Sequence, residues 1–245
     1  MPVRRRLDRL LATRFGRKLA ACVLSKPIVS FTFDDFPRSA LRTGGRMLNE
    51  HGLSGTYYAA LGLMGTITES GEMFRPEDLG ELVASGHELG CHTFDHVPCG
   101  SLSVSEVVNN CEKNKAAVCK IVPGYELRNF SFPFGSIALS PKCVLGARYL
   151  TCRSIEPGIN RGIVDLALLR AYSLYGSKDR VMVAMKENEI QRGWLVLYTH
   201  DVTPAPSKYG CTPNIFREVL RCAIASGAEI LPIQEAAERI TDGAH

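Results

Sequence analysis

Two short stretches carry the chemistry of this 245-residue chain. Thr32-Phe33-Asp34-Asp35 closes an apolar run with two adjacent carboxylates. His92-Thr93-Phe94-Asp95-His96 offers two imidazoles four residues apart. One carboxylate and two histidines can hold a divalent cation and leave positions open for water and substrate. The second carboxylate is then free to take a proton from that water. These types and spacings point to a mononuclear hydrolytic metal site and leave open which aspartate plays which part.

The neighbouring polar residues have plainer readings. His87 and Glu88 precede the loop and are expected to serve the other side of their strand. Asp95 is expected to face solvent, His51 to lie on the surface, and Trp194 to fill core. Cys91 and Cys99 flank the histidines, but their spacing matches no zinc knuckle.

The elements that must position these residues alternate. Short β-rich apolar runs at 28–33, 54–60, 87–91, 129–132, 148–153, 168–174, 194–198 and 228–231 read as strands. Between them lie helical stretches at 44–51, 76–85, 103–122, 178–191 and 212–225, another opened by Ser140-Pro141, and a closing helix at 233–240. Ser103-x-x-Glu106 is a capping box, and Thr212-Pro213 places a cap before a first-turn proline. Alternation of this kind implies a parallel sheet with helices outside. Asp34, Asp35, the histidine motif, Pro133 and His200 each follow a strand's C-terminal end, which in a β/α barrel is the catalytic face.

The composition is that of an ordinary globular domain, 45% hydrophobic and 22% charged. No linker, repeat or low-complexity stretch divides it, so one domain is expected. The net charge of +4 is unevenly spread: residues 1–18 carry +6 and the rest −2. A nearly neutral body offers no nucleic-acid face. Leu7, Leu10, Leu11, Phe15 and Leu19 recur at helical spacing opposite the arginines, which predicts a basic helical extension over 1–25 and a catalytic domain over 26–245. Such a helix either docks on the body or rests on an anionic membrane surface. Arg14, Arg17 and Lys18 interrupt any signal-peptide core, and no run reaches a spanning length. Nine scattered cysteines without a CxxC pair agree with a cytoplasmic or membrane-associated location.

The motifs resemble those of the NodB-like polysaccharide deacetylases, carbohydrate esterase family 4. Thr32–Asp35 and Gly86–His96 are similar to the first two motifs, Phe130–Gly135 to the third, and Leu195–Asp201 to the last. The resemblance implies a distorted (β/α)7 barrel and metal-dependent removal of acetyl from an N-acetylated sugar in a polysaccharide, oligosaccharide or glycoconjugate. It makes Asp34 the general base and His200 the general acid. Asp35, His92 and His96 become ligands of a divalent metal, usually zinc, with cobalt or nickel as alternatives. The Phe36 amide becomes an oxyanion donor, and Phe36, Pro133, Phe134, Leu197 and Tyr198 are expected to border the substrate. The implied partner is an N-acetylated carbohydrate, and nothing fixes the oligomeric state.

Three departures stand out. The family commonly has an arginine two residues before the third-motif proline, where Ser131 stands here; Arg170, at another strand end, is the candidate substitute. Tyr198 replaces the usual leucine before the last histidine. Asp165 is the candidate for the fourth-motif carboxylate, with helix capping as its rival role. Competing readings are an amidase on a non-carbohydrate amide, a catalytically weak carbohydrate-binding relative, and a non-haem iron oxygenase.

Overall fold

The structure, a computed structural model, describes residues 3–242, with side chains from 8 to 241. Within these residues twelve strands and eight α-helices follow one another in order. Helix α1 (Val3–Arg14) and strand β1 (Leu19–Cys22) lead into β2 (Ile28–Asp35), α2 (Arg46–Asn49) and β3 (Thr56–Ala59). A small hairpin, β4 (Ile67–Thr68) and β5 (Gly71–Glu72), precedes α3 (Pro76–Ala84), β6 (Glu88–Cys91), α4 (Val104–Ile121) and β7 (Asn129–Ser131). Next come α5 (Leu139–Arg148), β8 (Thr151–Arg153), β9 (Gly162–Asp165), β10 (Tyr172–Ser173), α6 (Lys178–Gln191) and β11 (Trp194–Thr199). Helix α7 (Pro213–Ala225), β12 (Glu229–Ile230) and α8 (Ile233–Asp242) finish the chain.

Parallel pairing orders the main sheet β10-β11-β2-β3-β6-β7-β8, with β12 also beside β2. The sheet curls. Leu169 bridges β8 through Leu169 N to Cys152 O and Ser154 N to Leu169 O, and β10 then pairs with β11, so 169–173 joins the two ends. This is the expected distorted (β/α)7 barrel in a single domain. β2 is buried at every residue but its last, as a central parallel strand covered on both faces must be.

Period-two alternation sorts the side chains. Phe31, Phe33, Tyr57, Leu89, Phe130, Leu195 and Leu197 point to the helices and form the larger core. Trp194, Val196 and Tyr198 point into the curl. Beside them lies a layer of polar residues: Glu88 accepts from Thr56 Oγ1 (2.7 Å) and from Asn129 Nδ2, and Asn129 Oδ1 accepts from Thr151 Oγ1 (2.7 Å). Four neighbouring strands, β3, β6, β7 and β8, are thus linked by buried side-chain hydrogen bonds below the catalytic face.

Several elements differ from the sequence expectation. α5 begins at Leu139 after Ala138, with its cap two residues earlier than Ser140, and Pro141 sits within the first turn, where no backbone donor is needed. α5 also runs to Arg148, which shortens the following strand to Thr151–Arg153. β1, β9 and the β4–β5 hairpin carry too little apolar periodicity to be read. The helix expected over 1–25 ends at Arg14. Gly16 adopts a left-handed φ of 59° so close to α5 that a Cβ there would meet Cys143 Sγ at 2.3 Å. Residues 19–22 are instead a strand paired antiparallel with β9. Leu10 and Phe15 are exposed, and the Leu7 side chain lies outside the described residues. α1 docks through buried Ala12, and the buried Lys142 Nζ caps its end by donating to Ala12 O (2.7 Å) and Phe15 O (3.0 Å). Among the described residues no helix is long and apolar enough to cross a membrane.

Candidate active site

Asp34 follows the inward alternation of β2, whereas Asp35 would point to the helices if the strand ran straight. It does not: Asp35 and Phe36 both adopt left-handed φ angles, 62° and 65°, and the chain folds back so that both carboxylates face the barrel mouth. His92 continues the inward register of β6. Thr93 (φ 60°) and His96 (φ 51°) turn the next loop so that the second imidazole meets the first. Phe134 (φ 57°) does the same after β7. Among the described residues five of the six non-glycine residues with positive φ lie at these three strand ends, the sixth being Arg192.

The turns bring three expected ligands together. Asp35 Oδ1 stands 3.0 Å from His96 Nε2 and 3.4 Å from His92 Nε2, and all three donor atoms lie within 4.8 Å of one another. His92 Nδ1 lies 2.8 Å from the Ser131 carbonyl. A carbonyl can only accept, so Nδ1 carries a proton, and in the neutral ring the Nε2 lone pair faces Asp35. That lone pair and a carboxylate oxygen with no hydrogen-bond donor converge on one point, as a cation requires. Burial disfavours charge on Asp35, yet the adjoining His92 and His96 imidazoles hold its carboxyl well below the usual carboxylate range. Asp35 and Asp34 likewise overcome burial to draw His92 upward. The donor set fits a divalent metal. Cys91 and Cys99 are buried elsewhere and take no part.

Asp34 is buried and held by an arginine, but not the expected one. Arg153, the last residue of β8, donates from Nη2 to both Asp34 oxygens and to Ser131 Oγ (2.5 Å). Ser131 is the direct cross-strand partner of Arg153. The guanidinium has moved one strand along the sheet, and a small residue at 131 leaves it room to reach back. Its carbon lies 4.7 Å from the Tyr198 ring centroid and 5.2 Å from that of Tyr58. Gly90 makes space for Tyr58: a Cβ there would meet its ring at 2.6 Å. Burial pushes the Asp34 carboxyl up, but Arg153, with His92 and His200, outweighs it and holds the carboxyl below its ordinary range.

Arg170 is corrected by this arrangement. It is exposed and donates from Nη1 to Pro157 O (3.0 Å). Asp165 is also remote: it accepts from Lys142 Nζ (2.6 Å), Lys18 N (2.8 Å) and Ala167 N (3.1 Å), the capping role that rivalled a catalytic one. No carboxylate among the described residues supports His200 Nδ1, which is buried without a partner. Asp201 instead binds Ser207 N and Oγ (2.8 and 2.6 Å). His200 itself is at the site, with Nε2 3.8 Å from Asp35 Oδ2.

A cavity of about 350 Å³ opens above these groups. Asp34, Asp35, His92, His96 and His200, with Thr68, Glu69 and Ser70, form its polar part, and Phe134, Tyr175, Tyr198 and Tyr209 supply aromatic walls. Phe134 and Tyr198 thus border the site as expected. Phe36, Pro133 and Leu197 do not line it. Phe36 is buried against Phe74 and Tyr57, and its amide donates to Asp34 O (2.7 Å), so it is not free as an oxyanion donor. Pro133 is buried in the turn that presents Phe134, and Leu197 faces the helices. Larger surface clefts of about 490 and 720 Å³ hold none of the catalytic candidates. His87 and Glu88 are buried inside the sheet framework, Asp95 is exposed beside Lys113, His51 is exposed, and Trp194 is core, donating from Nε1 to Ser30 Oγ (2.9 Å).

The sequence profile of the polysaccharide deacetylase family matches residues 23–148, which include both aspartates, both motif histidines and Pro133. Among solved structures, the chitin deacetylase from the fungal pathogen Colletotrichum lindemuthianum is 15% identical over 90% of this chain and 91% of its own, with a TM-score of 0.63. The Xyl-CE4 domain of a multidomain xylanase from the hindgut metagenome of Trinervitermes trinervoides is 15% identical over 90% and 93%, with a TM-score of 0.60. Peptidoglycan deacetylase PdaC from Bacillus subtilis, as the D285S mutant, is 17% identical over 87% and 91%, with a TM-score of 0.59. At these identities the likeness carries the fold. No curated protein matches the chain.

Proposed function

The chain belongs to the polysaccharide deacetylase family, and we propose that it hydrolyses the N-acetyl group of an acetylated sugar in a polysaccharide, oligosaccharide or glycoconjugate, releasing acetate. The observation that carries this reading is the pairing of a charged, arginine-held Asp34 with the Asp35–His92–His96 donor set on one cavity floor. Asp35, His92 and His96 would hold the metal, and mixed nitrogen and oxygen donors favour zinc. Such a cation supplies acidity to a water molecule and polarises the acetyl carbonyl.

The remaining chemistry belongs to the chain. Asp34, kept ionised by Arg153, accepts the proton as a water oxygen attacks the acetyl carbon. His200, on the other side of Asp35, gives a proton to the amide nitrogen as the C–N bond breaks, so the sugar leaves as an amine and the acetyl group as acetate. Tyr198 beside the reacting groups narrows the space for the acetyl methyl, and Tyr175, Tyr209 and Phe134 offer flat faces to a sugar ring. The reading as an inactive carbohydrate binder rested only on a missing arginine, and Arg153 stands where that charge is needed.

Acetate release from chitooligosaccharides with added zinc tests the proposal. Asp34→Asn is expected to keep the metal and lose turnover by about 10²–10⁴-fold, whereas Asp35→Asn is expected to lose metal content. Turnover of a non-sugar acetamide with none on any acetylated sugar would transfer the assignment to an amidase.

A further inference from the structure

β1 and β9 form a two-stranded antiparallel sheet whose inner face packs on the Trp194 core and whose outer face carries apolar side chains left uncovered by the described residues. Ala21 lies directly opposite Ile163, and Leu19 and Val23 flank Ala21 on the same side. Leu19, Val23 and Ile163 are 55%, 86% and 64% exposed. Ile163 also borders a cleft of about 250 Å³ into which Arg17, Arg161 and Arg170 project. The cleft's two carboxylates are already taken: Glu156 pairs with Arg9, and Asp165 with Lys142. Among the described residues none of the three arginines has a carboxylate of its own.

The geometry points to this face as a docking surface for an anionic lipid bilayer. Leu19, Val23 and Ile163 enter the boundary between headgroups and acyl chains, and Arg17, Arg161 and Arg170 take lipid phosphates. Charge selects this occupant over a second copy of the chain, because a symmetric interface would set the same arginines against one another. A soluble anion would fill the cleft but leave the apolar row in water. Ser154 and Glu156 line the cleft while Ile155 between them lines the catalytic cavity, so the two spaces lie on opposite sides of this segment.

Co-sedimentation of the full chain with phosphatidylglycerol-containing and pure phosphatidylcholine vesicles tests the assignment. Binding is expected only to the anionic vesicles and is expected to weaken with salt. Arg17→Gln and Arg161→Gln should each lower the partition coefficient about fivefold, and Ile163→Asp should abolish binding, with unchanged melting temperatures showing that all three fold. Absence of vesicle binding, or binding indifferent to the three variants, overturns it. Inorganic phosphate binding without vesicle binding would give the cleft to a soluble anion. A dimer split by Ile163→Asp without vesicle binding would give the face to a second copy. Either result also overturns the proposal.

Discussion

A buried carboxylate left alone takes up a proton, and a buried guanidinium left alone is costly; Asp34 and Arg153 exist in their charged forms because each has the other. Asp34 therefore supplies stability that is fully present above its ordinary pKa and is lost as pH falls through its lowered folded value. Arg153→Met removes the counter-charge while keeping most of the volume. The variant is expected to be about 3–5 kcal/mol less stable. Its turnover should fall, and the acid limb of its kcat/KM profile should move to higher pH as the Asp34 pKa rises. Metal content should be unchanged, since Arg153 touches none of the three ligands. An unshifted acid limb would remove Arg153 from the role of positioning the base. Arg170→Ala, on an exposed side chain bound only to Pro157 O, should leave the profile as it is.

At the scale of elements, straight strands cannot build this site. Adjacent strand residues point to opposite faces, so Asp34 and Asp35 converge only because the left-handed turn at 35–36 ends β2, and such turns cost of order 1–3 kcal/mol per residue. The framework below is fixed by buried polar links between neighbouring strands. His87 is one: its Nδ1 accepts from Gly55 N (3.0 Å), tying the start of β6 to that of β3. Burial lowers its pKa from 6.5 to about 4. The folded state thus holds a neutral ring while the unfolded chain takes up a proton below about pH 6.5. No penalty exists above that pH; it grows as pH falls and is complete below about 4. Urea unfolding at a series of pH values should show the wild type losing about 3 kcal/mol more than His87→Gln across this window. Parallel slopes would mean that the ring takes up its proton as readily in the folded protein as in the unfolded chain.

At the scale of the whole molecule, the barrel was legible because its strands and helices alternate and its chemistry gathers at strand ends. The same reading placed Asp35, His92, His96 and His200 on one face, but it could not place Arg153. Arg153 also ends an expected strand, and what makes it the partner of Asp34 is that β8 lies beside β7, a neighbour relation that local periodicity does not encode. Phe36 was misplaced for a related reason: only the backbone turn decides whether its amide faces the cavity or Asp34 O. The metal site ties these distant segments together, since its ligands come from the ends of β2 and β6 and exist as a set only in the fold. A cation bound to the folded state alone must therefore stabilise the whole domain. At a free zinc concentration a hundredfold above Kd the gain is about 2.7 kcal/mol, which for a chain of this size raises the melting temperature by about 5–10 °C. Chelation should reverse that rise, and restored zinc should recover it in a concentration-dependent way. Asp35→Asn should melt at a temperature insensitive to zinc, whereas Asp34→Asn should still respond. If both variants respond as the wild type does, the cation binds elsewhere, and the division of the two aspartates into ligand and base fails.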